Sequence, residues 1–415
     1  MMFVADFHIH SKYSRATSKD MDLEALNKWA KIKGIKVLGT GDFTHPEWLK
    51  NLKEKLEPAE PGLYKLRKLK SEVRFILTAE ISCIYSKNNK VRKVHIIVFS
   101  PSFEICEKIN TQLGWIGNLK SDGRPILGLD VKELAKIVLN SSQDCFIVPA
   151  HIWTPWFSIF GSKSGFDSLE ECFEDCAKYI YAGETGLSSN PAMNWRVSNL
   201  DKIALISNSD AHSPAKIGRE ANVFDTEINY FKIIEAVKAK DPNKFLYTIE
   251  FFPEEGKYHY DGHRVCDISL SPQESKKYNG LCPVCGKPLT LGVLNRVEEL
   301  ADRPIGTKPE KAIPFKSLIP LGEIIADVLG LGTGTKAVAR EYNNLIENFK
   351  SEFEILLNAS YQDLKSATST EISQGIIRVR EGNVDLIPGY DGVYGKIKIF
   401  SNGEQKDKPN QKTLF

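Results

Sequence analysis

Short apolar runs return along the first 240 residues, and helical stretches fill the intervals between them. Phe3-Val-Ala, Val37-Leu38, Phe75-Ile-Leu, Phe146-Ile-Val and Ile203-Ala-Leu-Ile have strand length and strand composition. Residues 21–33, 46–55, 131–140 and 169–178 carry helix-type spacing or helix-forming composition. Such alternation predicts an α/β region with a parallel sheet, open or closed into a barrel. The pattern changes twice. A stretch of different composition fills residues 251–313, and residues 314–400 read as an α+β region. In that last region residues 318–329 are amphipathic, and Gly330-Leu-Gly-Thr-Gly-Thr-Lys336 opens a second helix. Gly375-Ile-Ile-Arg-Val-Arg380, Val384-Asp-Leu-Ile and Ile397-Lys-Ile-Phe400 are expected to be short strands with tight turns. A polar tail, residues 401–415, is expected to be disordered.

The ends of the apolar runs carry the candidate chemistry. His8-Ile-His10, Asp42, Glu80, His151 and Asp210-Ala-His212 each come directly after such a run, and His95 comes after Val94. These stretches hold five of the chain's eight histidines together with Asp42, Glu80 and Asp210. Imidazoles and carboxylates at several strand ends are the ligand types of a multinuclear site for zinc, manganese or magnesium. Two such ions roughly 3.5–4 Å apart activate water and stabilise the oxygens of an in-line displacement at phosphorus. Asp210, Glu80 and His10 are the expected catalytic core of the set. Ligands from at least six strands must converge on one spot, which favours a closed or nearly closed barrel with its site at the carboxyl ends of the strands.

A second metal pattern lies farther on. Cys282-Pro-Val-Cys285 forms a knuckle, and His263 with Cys266 repeats its two-residue gap; His259 is a rival for the fourth position. Four soft ligands in two pairs fit a closed tetrahedral structural zinc site. The other cysteines, Cys83, Cys106, Cys145, Cys172 and Cys176, read as small buried hydrophobes. Length, 415 residues, allows two or three domains, and a net charge of +2 neither demands nor excludes a polyanionic partner. The N-terminus turns polar too soon for a signal peptide and no run approaches a membrane span, so the expected location is cytoplasmic, associated with the nucleoid.

His8-Ile-His10-Ser, Gly39-Thr-Gly-Asp42, Ala79-Glu80, Val94-His95, Pro149-Ala-His151 and Asn208-Ser-Asp210-Ala-His212 occur in the order of the motif series of the PHP (polymerase and histidinol phosphatase) superfamily, which they resemble. The resemblance implies a distorted (β/α)7 barrel holding two or three divalent metals. By motif position His8, His10, Glu80 and Asp210 would hold one ion, and Glu80, His95 and His151 a second. Asp42 with His212 would hold a third. Many members have Asp-His in the second motif, whereas this chain has Asp42-Phe43, so a third ion would lean on carboxylate and on Ser18. His45 is expected at the surface.

Taken whole, the chain resembles the endonuclease Q family, in which this barrel carries a zinc-finger module and a C-terminal lesion-binding region. Ser121-Asp-Gly-Arg-Pro125, Glu184-Thr-Gly-Leu-Ser-Ser189, Asn194-Trp-Arg196, Tyr260-Asp-Gly-His263 and Pro388-Gly-Tyr-Asp-Gly392 carry the likeness. It implies hydrolysis of the DNA phosphodiester 5′ to hypoxanthine, uracil, xanthine or an abasic site, leaving a 3′-hydroxyl. A small-molecule phosphatase of the histidinol phosphate type is the alternative. Trp153, Trp156, Arg196, Lys336, Arg378 and Arg380 are candidate DNA contacts, since aromatic rings stack on bases and cations meet phosphates. Gln411-Lys-Thr-Leu-Phe415 resembles a sliding-clamp peptide, with Gln411, Leu414 and Phe415 as anchors for PCNA or the bacterial β clamp.

Overall fold

Four of the five residues of strand β1 (Met2–Asp6) are buried, as expected of a strand covered on both faces. It lies near the centre of the main sheet in the computed structural model, which describes residues 2–400. Strand β2 (Ile35–Gly39) pairs parallel with β1, and β3 (Arg74–Lys87) pairs parallel with β2. Strands β4 (Lys90–Ser100) and β5 (Phe146–Pro149) come next, both antiparallel to their neighbours. Strands β6 (Ala182–Glu184) and β7 (Ala204–Ile206) form a parallel pair of their own. On the other side of β1 lie β8 (Ala221–Asp225) and β9 (Phe245–Glu250), both antiparallel.

The sheet is therefore mixed, which corrects the expectation of a parallel one. The largest cause is the β3–β4 hairpin. Its turn residues Asn88 and Asn89 have φ of 53° and 57°, the left-handed region that two-residue hairpin turns require and Asn tolerates. The chain thus returns beside β3 without a helical crossover. The sheet also runs past the boundary expected at residue 240: β9 belongs to it, and Phe315–Ser317 joins β9 in parallel after the cysteine-bearing module.

Ala5, Val37, Ile76, Ile97, Val148, Ala182, Ile206 and Phe224, one from each of β1 to β8, belong to a single buried cluster. Small alanines leave room for large rings there: Phe7 meets Phe99 edge-on at 5.4 Å and lies 6.1 Å from Phe224. The opposite faces of the strands pack under helices. Leu23–Lys33 is capped by Asp22, whose side chain accepts from the Ala25 N–H, and stops at Gly34 with φ 87°. Val131–Ser141 is capped by Asp130 in the same way. The stretch 169–178 is not one helix: Leu169–Phe173 ends at Glu174, φ 49°, where a 3-10 turn, Glu174–Tyr179, begins.

In the last region Leu321–Leu329 and Lys336–Phe349 are helices as expected. Gly375-Ile-Ile-Arg-Val-Arg380 is a correction, since it is the end of a helix, Thr370–Arg380, and not a strand. Its β-branched residues suggest a strand, yet Ser369 caps the helix and Ile372, Ile376 and Val379 bury one helical face. Gly375 permits the close approach, because a Cβ there would lie 2.9 Å from Val328 Cγ2. Short strands at Asp385–Ile387 and Lys396–Lys398 pair as expected. No helix among the described residues is long and apolar enough to cross a membrane. Gln411, Leu414 and Phe415 lie outside the described residues.

Candidate metal centres

The carboxyl end of β1 is held open by glycine. A Cβ at Gly39 would stand 2.2 Å from Phe7 O, and one at Gly41 would stand 2.3 Å from Ile9 O. Only glycine lets the end of β2 lie against the His8-Ile-His10 backbone, which places Asp42 beside His10. Gly186 does the same for His151, whose Cβ would be 2.5 Å from an added Cβ. Asp42, His151 and Asp210 themselves adopt φ of 50°, 29° and 46°, a strained region that collects at functional sites.

Within β3 and β4, Ser82 stands opposite His95, so Glu80 and His95 are diagonal neighbours on one face. Glu80 then reaches two groups at once. Its Oε2 lies 3.1 Å from His10 Nε2 and 3.5 Å from His8 Nε2, while Asp210 Oδ1 lies 3.1 and 3.6 Å from the same nitrogens. Its Oε1 lies 2.7 Å from His95 Nδ1 and 3.2 Å from His151 Nε2. Both groups, His8-His10-Glu80-Asp210 and Glu80-His95-His151, keep their ligand atoms within 4.8 Å of one another.

Three of these atoms are buried without a hydrogen-bond partner: His8 Nε2, His10 Nε2 and Asp210 Oδ1. Buried polar atoms are otherwise almost always paired, so their convergence with Glu80 fits a cation between them. The surrounding carboxylates favour positive charge at the same place. Burial disfavours charge on His8 and His10, yet the carboxylates around them hold both well above the ordinary histidine value. Burial likewise works against charge on Glu80, but its imidazole neighbours and Arg124 hold it well below the usual carboxylate range. His95 is pushed by burial down to about 4, the neutral form that ligates metals.

Outer partners fix the rings. His8 Nδ1 lies 3.0 Å from Glu184 Oε1, and His151 Nδ1 lies 3.1 Å from Thr154 Oγ1. His10 Nδ1 lies 3.1 Å from Asp42 Oδ1, whose other oxygen accepts from Ser11 N–H at 2.6 Å, Ser11 Oγ at 2.7 Å and Ser14 Oγ at 2.9 Å. Asp42 is thereby an orienting carboxylate behind His10 and stands outside both groups. His212 is also outside them: its ring is 4.5 Å from that of His10, and its Nδ1 lies 2.9 Å from Asp210 O. Ser18 donates its backbone N–H to His212 O, and its hydroxyl is turned to Asp20, from whose N–H it accepts at 3.2 Å. His45 is not at the surface; it is buried and stacks on Tyr13 at 4.4 Å. Glu184 is a site residue that the strand-end pattern could have supplied, since it closes β6, yet the sequence pattern was not read that far.

His263, Cys266, Cys282 and Cys285 form the third group, with ligand atoms within 4.8 Å. His263 comes from the hairpin Asp261–His263 with Ile268–Leu270, and its Nδ1 lies 3.6 Å from Cys285 Sγ. Against the cost of desolvation, the N–H groups of Cys285 and Val284 lower the Cys282 thiol to about 7, favouring the thiolate a metal needs. The rival, His259, is buried, stacks on Tyr260, and takes no part in the group.

Residues 320–383 match the family model described as the MJ0043 C-terminal domain. The uncharacterized protein MJ0043 of Methanocaldococcus jannaschii is 36% identical over 284 residues, 66% of this chain, which spans only 34% of that protein. The uncharacterized protein YqxK of Bacillus subtilis is 29% identical across 95% of this chain and 98% of its own. The crystal structure of the lesion-specific endonuclease PfuEndoQ from Pyrococcus furiosus has 32% identity and a TM-score of 0.86, covering 96% of this chain and 95% of that one. The chain belongs to the endonuclease Q family. An endonuclease Q bound to a 27-mer duplex with an abasic lesion at the active site is 32% identical, with a TM-score of 0.84 and 99% coverage of both chains.

Within this endonuclease Q chain the expected DNA contacts divide. Trp153 is a correction: it is buried, and its indole N–H donates to Asn194 Oδ1 at 2.7 Å. Arg196 is buried too, paired with Glu298 at 2.6 Å across the junction with helix Val293–Leu300. Arg380 spends its donors on Ile355 O at 2.8 Å and Leu356 O at 3.0 Å. Each of these side chains is committed to packing. Trp156 is 51% exposed with Lys93 Nζ 5.6 Å from its ring, and Lys336 is exposed at the start of its helix. Arg378 donates to Asn383 O and lies over the Phe400 ring at 5.1 Å.

Proposed function

We propose that the chain is a metal-dependent DNA repair endonuclease that hydrolyses the phosphodiester 5′ to a deaminated base or an abasic site and leaves a 3′-hydroxyl. The observation that carries this reading is Glu80, whose two oxygens reach separate ligand groups, 3.1 Å from His10 on one side and 2.7 Å from His95 on the other. A carboxylate shared in this way suits a pair of cations, the arrangement used for in-line displacement at phosphorus. The substrate class is supported by whole-length likeness to an endonuclease seen with an abasic duplex. That likeness runs through the cysteine module and the C-terminal helices, which a small-molecule phosphatase would not need.

Divalent ions bound at the centre would supply an activated water and offset charge at phosphorus. The chain's own part is orientation. Glu184 and Asp42 hold the Nδ1 sides of His8 and His10, leaving each Nε2 facing the centre. The water oxygen bonds to phosphorus, the P–O3′ bond breaks, and the 3′ oxygen leaves with a proton that balances the one lost by water. The 5′-phosphate stays on the lesion-bearing fragment.

Finer readings accompany it. The sheet wraps as a distorted (β/α)7 barrel, supported by the single interior that β1 to β8 share. Two ions occupy the barrel, since the oxygens of Asp42 are already engaged, and zinc occupies the Cys3His group. Residues 1–240 with β9 and Phe315–Ser317 make the catalytic unit, 251–313 the zinc module and 318–400 the region that meets the lesion. Gln411, Leu414 and Phe415 dock a sliding clamp; deletion of residues 411–415 that leaves clamp affinity unchanged would end that part. The central test incubates the protein and Mg²⁺ or Mn²⁺ with duplexes holding one hypoxanthine, uracil, abasic site or normal base. A single nick 5′ to the lesion is expected. Phosphate release from small esters without nicking would overturn the reading.

A further inference from the structure

One cation already stands over the centre. Arg124 Nη1 lies 3.0 Å from Glu80 Oε2, the oxygen that faces His8 and His10, and its side chain is 27% exposed. Among the described residues its Nε and Nη2 make no hydrogen bond, so two donor positions of the guanidinium fork remain free at the open edge of the site.

The loop that carries Arg124 is fastened at every residue. Asp122 Oδ1 accepts from the N–H groups of Arg15 and Arg124, both at 3.2 Å. Gly123 donates its N–H to Tyr13 O at 3.0 Å and accepts from Thr44 Oγ1 at 3.0 Å. A Cβ at Gly123 would meet Asp42 Oδ2 at 2.3 Å, so the loop is pressed against the carboxylate that orients His10. Pro125 O accepts from Ser82 N–H at 3.0 Å, two residues beyond Glu80 in β3. Such fixing is what a group needs to meet a reacting atom at a set distance.

We propose that Arg124 is a catalytic residue whose guanidinium binds a non-bridging oxygen of the scissile phosphate. The inference rests on the endonuclease reading. Its physical ground is a change of partner. Without ions, Glu80 is a buried carboxylate and Arg124 helps neutralise it. Two divalent ions held beside Glu80 would offset its charge and stand next to the guanidinium, and these neighbouring cations would repel one another. An anion placed between the ions and Arg124 relieves that repulsion, and a phosphodiester presents oxygens that match the planar fork of arginine. The donors then stabilise the charge that grows on those oxygens as the P–O3′ bond breaks.

The test compares the wild type with Arg124→Ala and Arg124→Lys, measuring nicking of an abasic duplex, affinity for that duplex and metal content per chain. Arg124→Ala is expected to keep its metal, to lose roughly 100- to 1000-fold in nicking rate, and to recover part of it with added guanidinium ion. Arg124→Lys, which keeps the charge without the fork, is expected in between. Nicking by Arg124→Ala within about threefold of a cutting wild type overturns the proposal. So does a defect in Arg124→Ala that excess Mn²⁺ repairs fully, because Arg124 would then serve only to hold Glu80. A wild type that does not nick at all would instead remove the endonuclease reading itself.

Discussion

His8 Nδ1 lies 3.0 Å from Glu184 Oε1, on the side of the ring that faces away from the ligand group. The same carboxylate accepts the backbone N–H of His151 at 2.8 Å and is held by Asn208 Nδ2 at 2.9 Å. One side chain therefore steadies a ligand from each half of the centre. Replacing Glu184 with Gln is expected to weaken barrel metal binding by about 10- to 100-fold while the fold persists. Metal titration with a nicking assay at each point checks this: high metal should restore much of the rate, and unchanged affinity would remove the orienting role.

Asp210 sits at φ 46°, a conformation that Asn adopts readily, so Asp210→Asn changes charge with little change of backbone. Nicking should fall by roughly 100-fold or more, because a ligand of the barrel site has lost its charge. Binding to lesion-bearing duplex, measured by anisotropy, should survive. Retained turnover would show that the charge of Asp210 is not needed at the centre.

Cys282 lies at the knuckle whose N–H groups favour its thiolate. Cys282→Ser should cost one zinc per chain and lower the melting temperature, since a structural zinc contributes its binding energy to folding. Elemental analysis beside a thermal melt decides this. A variant that keeps its full zinc complement would contradict the Cys3His assignment.

Glu250 is buried, and desolvation raises its carboxyl to about 7 despite hydrogen bonds from Thr248 and Thr185. Glu220, burdened by burial and then by Glu250, is raised well above the ordinary range. A carboxyl with a raised folded pKa binds its proton more tightly in the native state, so stability is present at low pH and declines as pH rises from about 4.5 towards 7. The melting temperature should drop between pH 5 and pH 8, by roughly 2–4 °C for each kcal/mol lost. Glu250→Gln should flatten that slope, and an equally steep slope in the variant would assign the loss elsewhere.

Much of the centre is written in the order of the chain. A strand of three to five residues ends where its apolar run ends, so polar residues just beyond β1, β2, β5 and β7 fall at one rim of the sheet. That rule picks out His8, His10, His151 and Asp210, and the paired spacing of His263, Cys266, Cys282 and Cys285 marks the third group. Helices capped by Asp22 and Asp130 are equally legible, because caps act within a few residues.

What sequence leaves open depends on segments far apart. Asp42 follows β2 and Glu80 sits midway along β3, yet one faces Ser11 and Ser14 while the other faces two ligand groups. Trp153 and Trp156 are three residues apart, and only packing against Asn194 and Phe160 sends one inside and leaves the other exposed. Residues 375–380 carry strand-forming side chains and fold as helix because Leu321–Leu329 offers them a groove and Gly375 lets them enter it. Local spacing determines which residues stand at a strand end or on a helix face. Which of them meets a cation, an imidazole or the core is set by distances of about 3 Å between chain segments that can be 203 residues apart, and only the folded structure fixes those.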